Sequence, residues 1–145
     1  MPTTRARRKN SVSVQYAVPR RGVPSAASFR KWAALRPAQA TIRIVGQREG
    51  RRLNRIFRRK NFATNVLSFP YGPGRGDLVL CHPVIAREAR AQRKTIAAHY
   101  AHLVLHGLLH LRGYDHEKKR EAERMERAEI RLLRRAGYGN PYTVE

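Results

Sequence analysis

Three histidines in the second half of the chain have the spacing of a metal site. His106, His110 and His116 stand at positions i, i+4 and i+10, with Gly113 between the second and the third. This is the histidine spacing of the zinc-protease pattern H-E-x-x-H-x-x-G-x-x-H. Gly107, however, occupies the position at which that pattern carries the glutamate that serves as general base. The pattern therefore predicts three metal ligands without the base of the peptidases.

The first two of these histidines lie in a nearly all-apolar segment, residues 95–111, which we predict to be a buried helix. On a helix with about 100° per residue, four histidines project within about 80° of one another: His99, His102, His106 and His110. Buried neutral imidazoles need polar partners, and charged ones repel one another. A metal ion meets both requirements for two histidines at i and i+4, because their side chains converge.

The third ligand depends on Gly113. Glycine tolerates the left-handed conformation that ends a helix, so the chain can turn there and bring His116 back over the same face. Three histidines with a fourth position open are typical of a catalytic zinc site rather than a closed structural one, and we expect one zinc ion per chain. Asp115 is expected to cap the next helix or to hydrogen-bond a ligand histidine. We expect His99 and His102 to be structural, since three ligands complete the set.

The charge of the chain is strongly positive and unevenly distributed. Lys and Arg number 31 against 10 Asp and Glu, which gives a formal net charge of +21. Residues 1–60 hold 17 of the basic residues and a single acid, Glu49. This asymmetry favours a polyanionic partner, and nucleic acid is the commonest. A basic surface that serves only solubility is the alternative, and it is less favoured because self-repulsion of this size destabilises a compact domain.

Length and cysteine content indicate the class of protein. A chain of 145 residues is most simply one domain, which we place at residues 11–145, after a disordered basic tail at residues 1–10. The single cysteine, Cys81, cannot form an intramolecular disulfide, which fits a reducing compartment. Neither a signal peptide nor an apolar run of membrane-spanning length is recognisable. The expectation is a soluble cytoplasmic protein without a membrane partner.

Alternating and helical hydrophobic patterns predict an α+β fold. The predicted strands are residues 11–18, 40–46, 64–71 and 77–83. The predicted helices are residues 25–36, 84–93, 95–111 and 117–136, and residues 53–61 form a short helix or an extended turn. We expect one small mixed sheet of about four strands with helices packed on it, and the zinc site at the end of the buried central helix.

The segments that carry these features resemble the YbeY family, bacterial zinc-dependent endoribonucleases that act in ribosomal RNA maturation. HGLLHLRGYDH resembles the signature of the family. The resemblance continues in three further segments and covers roughly residues 40–142: LNRIFRRKNFATNVLSFPY, GDLVLCHPVIAREA and EAERMERAEIRLLRRAGYGNPY. Asn65 stands where the family often has aspartate, a conservative difference. The basic character of the first 60 residues exceeds what the resemblance requires.

The resemblance implies an α+β fold, zinc held by three histidines and single-stranded RNA as substrate. On this sequence the zinc ligands are His106, His110 and His116. The functional arginine of the family falls on Arg58, with Arg59 next to it as the alternative within a one-residue ambiguity.

The function that follows is a single-strand-specific, zinc-dependent endoribonuclease. The resemblance implies that it matures the 3′ end of 16S ribosomal RNA and takes part in ribosome quality control, with the ribosome as a partner and no small-molecule cofactor. Arg58 would hold the scissile phosphate. Gly107 would keep negative charge away from an anionic substrate and let the phosphate backbone approach the metal. The general base is open between Asp115 and His102.

Two other functions compete with this interpretation. One is a non-catalytic RNA- or ribosome-binding assembly factor in which zinc only stabilises the fold. The other is a metallopeptidase, which the histidine spacing favours but which Gly107 and the basic charge oppose.

Overall fold

A mixed sheet lies at the centre of the computed structural model, which describes residues 11–115 and 117–143. Its four strands are β1 (Ser11–Tyr16), β2 (Gln39–Val45), β3 (Val66–Gly72) and β4 (Arg75–Cys81). Their spatial order is β1-β2-β4-β3. Strands β1, β2 and β4 run parallel, and β3 pairs antiparallel with β4. The predicted small mixed sheet is therefore confirmed, whereas the predicted basic tail at residues 1–10 lies outside the described residues.

Five helices accompany this sheet in the described part of the chain: α1 (Ala26–Ala33), α2 (Gln47–Arg58), α3 (His82–Ala91), α4 (Ile96–Leu111) and α5 (Lys119–Arg135). Two of them begin at side-chain caps, since Ser25 accepts a hydrogen bond from the Ser28 amide and Thr95 accepts one from the Ala98 amide. The predicted α+β class is confirmed. Among the residues described, no helix has the length and apolar character needed to cross a membrane.

Helix α2 differs most from the sequence-based prediction, because it begins at Gln47 rather than near residue 53. Its buried residues are Gly50 and Asn54, so it lacks the apolar periodicity that marks a helix in sequence. Its N-cap, Gly46, provides no side-chain hydrogen bond. The helix ends where Arg59 adopts a left-handed conformation with φ 56°.

Side chains alternate between the two faces of the sheet along β4. Leu78 and Leu80 join the large core, to which α1, α4 and α5 contribute most of the helical side chains. Val79 and Cys81 join a smaller apolar cluster on the opposite face, against which Leu53 of α2 packs. Helices α4 and α2 therefore lie on opposite faces of the sheet.

The thiol of Cys81 is enclosed by the beginning of α2. It donates a weak hydrogen bond to the Gly46 carbonyl at 3.6 Å, and a Cβ atom on Gly50 would lie only 3.0 Å from its sulfur. Burial raises the pKa of the Cys81 thiol. The thiol is therefore protonated and shielded at neutral pH.

The hairpin between β3 and β4 fixes the C-terminal end of α4. The Gly74 amide donates to the Leu111 carbonyl at 2.8 Å. Gly76 on β4 lies directly beneath Leu111, because a Cβ atom there would come within 2.7 Å of Leu111 Cδ2 and would also meet the Phe69 carbonyl. This close approach holds the last turn of α4, which carries His110, at a set height above the sheet.

We therefore expect Gly76→Ala to destabilise the protein. The added methyl group meets the backbone of Phe69, which cannot move without disturbing the β3–β4 pairing. Overpacking of this kind costs about 1–3 kcal/mol in the free energy of unfolding, which denaturant titration would measure. Gly139→Ala is the matched control, because a methyl group added there would have no neighbouring atom within 4 Å. Equal stability of the two variants would contradict the expected contact.

Candidate metal centre

His106 and His110 bring one ring nitrogen each to the same point beside α4. Their Nε2 atoms lie 3.1 Å apart, and their ring centroids are 4.7 Å apart. Two nitrogens bound tetrahedrally to zinc at about 2.0–2.1 Å would be separated by roughly 3.3 Å. The donor atoms and their separation therefore fit a shared zinc ion. The role of both residues as ligands stays a prediction.

The turn after α4 forms where the sequence predicts it. Gly113 has φ 92°, its amide donates to the His110 carbonyl, and the Tyr114 amide donates to Leu109. His116, the predicted third ligand, lies outside the described residues, and its role also stays a prediction. The turn does send the chain away from the axis of α4, as such a ligand requires.

Asp115 does not cap the next helix, so that part of the expectation was wrong. The N-cap of α5 is Lys118, which makes no side-chain cap hydrogen bond. Asp115 instead accepts a hydrogen bond from the Glu117 amide at 3.3 Å, ahead of the helix.

Glu129 is the residue of this site that sequence reasoning missed. It lies on α5, is 1% exposed, and faces the histidine side of α4. Its Oε1 atom accepts a hydrogen bond from His106 Nδ1 at 2.6 Å, and its Oε2 atom accepts one from His102 Nε2 at 2.7 Å. The hydroxyl of Tyr142 donates to the same Oε2 atom. A buried carboxylate thus collects three donors.

These donors keep the carboxylate ionised. Burial would raise the pKa of Glu129, but hydrogen bonds from His102 and His106 outweigh burial and lower the pKa to about 2. Burial and the hydrogen bond to Glu129 raise the pKa of Tyr142, so that its hydroxyl stays a donor. Because an ionised carboxylate only accepts, His106 must carry its proton on Nδ1. Its Nε2 lone pair is then directed toward the side of His110, as in a metal-binding histidine.

His99 is buried and His102 is partly buried, and each lies within hydrogen-bond distance of a carboxylate, while their structural role stays a prediction. The Nε2 atom of His99 lies 2.8 Å from Oε1 of Glu88. The same oxygen also accepts a hydrogen bond from the Asn65 side chain at 3.0 Å. Burial lowers the pKa of His99. His102 forms the contact with Glu129 already described.

A second ligand set overlaps the first. The ligand atoms of His102, His106 and Glu129 all lie within 4.8 Å of one another and could hold a metal ion. The carboxylate, however, is only 2.6 and 2.7 Å from the two ring nitrogens. These are charge-assisted hydrogen-bond distances, shorter than the roughly 3.3 Å between two ligands of tetrahedral zinc. The pair of Nε2 atoms fits a zinc ion better.

Arg58 does not belong to this group of side chains. It is the last residue of α2 and is exposed, and α2 packs on the face of the sheet opposite to α4. Arg59 follows it in the left-handed conformation. A loop, residues 59–65, leads from there to β3, the edge strand against which α4 packs. The predicted phosphate-binding role of Arg58 is untested by these contacts.

Gly107 has a packing role that the sequence interpretation did not foresee. A Cβ atom on Gly107 would lie 2.7 Å from Leu78 Cδ2 on β4. The residue therefore faces the sheet and not the metal centre, and the expectation that it opens the site to the phosphate backbone was wrong. A glutamate at this position would enter the apolar contact between α4 and the sheet.

Comparison with known proteins decides the family. Residues 21–137 match the family model described as Endoribonuclease YbeY. The chain belongs to the YbeY family.

Curated relatives of this YbeY-family chain match almost its whole length. A protein of Stenotrophomonas maltophilia (strain R551-3) is 48% identical, with 98% of this chain and 99% of the relative covered. A protein of Xanthomonas axonopodis pv. citri (strain 306) is 50% identical, with 92% of this chain and 94% of the relative covered. Both relatives are named Endoribonuclease YbeY.

A solved structure shares the fold of this YbeY-family chain. The solution structure of TM1509 from Thermotoga maritima superposes with a TM-score of 0.57 at 21% identity, covering 91% of this chain and 99% of the other. This likeness supports the α+β arrangement alone.

The purified protein should carry about one zinc ion per chain. The variants His110→Ala and His116→Ala should each lose most of this zinc, because the two imidazoles that remain would hold the ion weakly. Elemental analysis of the purified variants measures this. His82→Gln is the control, because His82 is a histidine outside the predicted ligand set. Its Nδ1 atom lies 2.8 Å from the hydroxyl of Tyr100, on the side of α4 that faces α3. Wild-type zinc content in both alanine variants would rule out the site.

Proposed function

We propose that the chain is a zinc-dependent endoribonuclease specific for single-stranded RNA. In this proposal it acts in the cytoplasm on ribosomal RNA, at the 3′ end of 16S ribosomal RNA, and in ribosome quality control. The observation that carries the proposal is the convergence of His106 Nε2 and His110 Nε2 at 3.1 Å. Family membership and the name endoribonuclease given to the relatives support RNA cleavage as the activity.

The side chains of the site have separate tasks in this proposal. His106, His110 and His116 would hold one zinc ion. When bound, zinc lowers the pKa of its water toward neutrality and polarises a phosphoryl oxygen. Arg58 would bind the scissile phosphate and offset the charge that develops on it.

The contacts weigh against His102 as the general base. Its Nε2 atom carries the proton that it donates to Glu129, and its Nδ1 atom is buried with no hydrogen-bond partner among the described residues. A nitrogen enclosed in this way cannot accept a proton from a water in the site. Asp115, which is only half-buried, is the better of the two candidates.

The exposed side of α2 supports an RNA partner. Seven basic side chains are exposed there and just beyond: Arg48, Arg51, Arg52, Arg55, Arg58, Arg59 and Lys60. The acid of this helix, Glu49, is bound to Arg43 at 2.7 Å, and that hydrogen bond lowers the pKa of Glu49. Phe57 and Phe62 are exposed among these cations and offer faces on which bases can stack.

A non-catalytic RNA- or ribosome-binding assembly factor is the second candidate. Its supporting observation is the same basic surface, which would serve binding without cleavage. Zinc would then only join α4 to the turn that follows it. Removing Arg58 should leave the zinc content unchanged for both candidates, because guanidinium is not an ordinary zinc ligand. Only the endoribonuclease should then lose cleavage rate, so this substitution separates the two candidates.

Arg58→Ala should keep zinc and fold but cleave single-stranded RNA about a hundredfold more slowly, since one electrostatic contact to the phosphate is lost. Arg58→Lys should recover only part of the rate, because lysine restores the charge without the two-pronged grip. Initial rates on a fluorescently labelled single-stranded RNA would measure both.

Arg55→Ala is the matched control, since Arg55 is exposed one turn earlier on the same helix. A folded, zinc-loaded Arg58→Ala variant with full activity would remove Arg58 from the mechanism. Cleavage by the wild type no faster than by His110→Ala would instead favour the assembly factor.

Affinity for single-stranded RNA should fall steeply with salt, because contacts to phosphates release counterions. Deleting residues 1–10, which hold four basic residues (Arg5, Arg7, Arg8 and Lys9), should flatten that slope. Fluorescence anisotropy across a salt series would measure both slopes, and zinc content serves as the control for an intact site. Binding that does not change with salt would refute the electrostatic interpretation.

A further inference from the structure

The C-terminal segment of the chain is attached beside the metal centre. We call residues 138–143 the C-terminal latch. Tyr138 packs edge-on against Trp32 with ring centroids 6.4 Å apart, and Lys94 donates to the Pro141 carbonyl at 2.9 Å. The Asn140 side chain accepts from the Tyr142 amide at 2.8 Å. Together these contacts set the position of the Tyr142 ring.

Tyr142 connects the latch to the histidines. Its hydroxyl donates to Glu129 Oε2, and its ring stands edge-on to His102 at a centroid distance of 5.5 Å. Glu129 Oε1 accepts from His106 Nδ1. A continuous path of hydrogen bonds thus runs from the C-terminal segment to a predicted ligand ring, through the carboxylate that α5 supplies.

This path matches what a metal-binding histidine requires. A carboxylate that accepts from the second ring nitrogen fixes the tautomer and orientation of the ring and raises its basicity. A carboxylate held by one contact alone could rotate, but both oxygens of Glu129 are engaged by donors from three residues. The orientation of His106 is therefore set from α5 and from the latch as well as from its own helix.

We propose that Glu129 and Tyr142 are positioning residues of the metal centre: Glu129 fixes His106 with Nε2 toward the metal, and Tyr142 fixes Glu129. The proposal rests on the proposed ligand roles of His106 and His110. Neither residue touches the metal in this arrangement. The C-terminal latch thereby becomes part of the metal centre, although it follows His110 by some thirty positions in sequence.

Cobalt binding tests this proposal without relying on RNA cleavage. The wild type, Glu129→Gln, Tyr142→Phe and Tyr138→Phe proteins are titrated with Co²⁺ against a chromophoric chelator, and the absorption bands of the bound ion are recorded. Tyr138→Phe is the matched control, because it removes a hydroxyl from the same latch at the Trp32 contact. His110→Ala provides the reference for a lost ligand.

Glu129→Gln should still bind one Co²⁺ ion, about 10–100-fold more weakly, which is the usual effect of removing a partner of a ligand histidine. Tyr142→Phe removes one of three donors and should weaken binding by a smaller factor, roughly three- to tenfold. The absorption bands should shift in Glu129→Gln, because the hydrogen bond that orients the His106 ring changes. Tyr138→Phe should match the wild type in affinity and spectrum.

Wild-type affinity in both Glu129→Gln and Tyr142→Phe would overturn the proposal. Loss of binding in Glu129→Gln as complete as in His110→Ala would also overturn it, since Glu129 would then be a ligand. If Glu129→Gln does not fold, Tyr142→Phe decides, and unchanged affinity in that variant counts against the proposal. Failure of the wild type to bind Co²⁺ would overturn both the metal centre and this inference, whereas wild-type binding with inactivity on RNA would affect only the proposed function.

Discussion

Removing imidazole rings from water, fully at His99 and partly at the other histidines of the central helix, is the constraint from which much of this structure follows. Helix α4 packs its apolar side on the sheet while its other side carries His99, His102, His106 and His110. A polar ring removed from water needs a hydrogen-bond partner. Glu88 of α3 meets this need near the start of the helix, and Glu129 of α5 meets it further along. The helices around α4 are thus held by carboxylate–imidazole contacts as well as by apolar packing.

The two faces of the sheet carry different parts of the molecule. The alternation of Leu78, Val79, Leu80 and Cys81 along β4 directs α4 and its histidines to one face and α2 to the other. The carboxylate of Glu129 beside His102 and His106 is buried and paired, whereas the exposed side of α2 is basic. The basic side of α2 and the histidines of α4 therefore lie on different faces of the sheet.

Sequence reasoning was sufficient where a local pattern determines the structure. The i, i+4 spacing of His106 and His110 brings their rings together on any helix, and Gly113 marks the end of that helix. The beginning of α2 was missed, because a helix that buries little more than Gly50 and Asn54 lacks an apolar stripe.

Glu129 was missed for a different reason: its partners lie on another helix, so no local spacing connects them. One signal was available, since Glu129 stands one turn after Met125 and just before the inward-facing Leu132 and Leu133. An acid in line with an apolar stripe indicates a buried partner. The contact of Tyr142 depends on how the chain returns after α5, and no local spacing in the sequence indicates that path.

The enclosed thiol of Cys81 has a consequence for the chemistry of the metal centre. This is the single cysteine of the chain, and it lies behind α2 on the face of the sheet opposite to the histidines. Every predicted zinc ligand is therefore an imidazole. Thiolate ligands are lost when peroxide or disulfide exchange oxidises their sulfur, and imidazoles do not undergo these reactions. A zinc ion held by these imidazoles would not be lost through oxidation of a thiolate ligand.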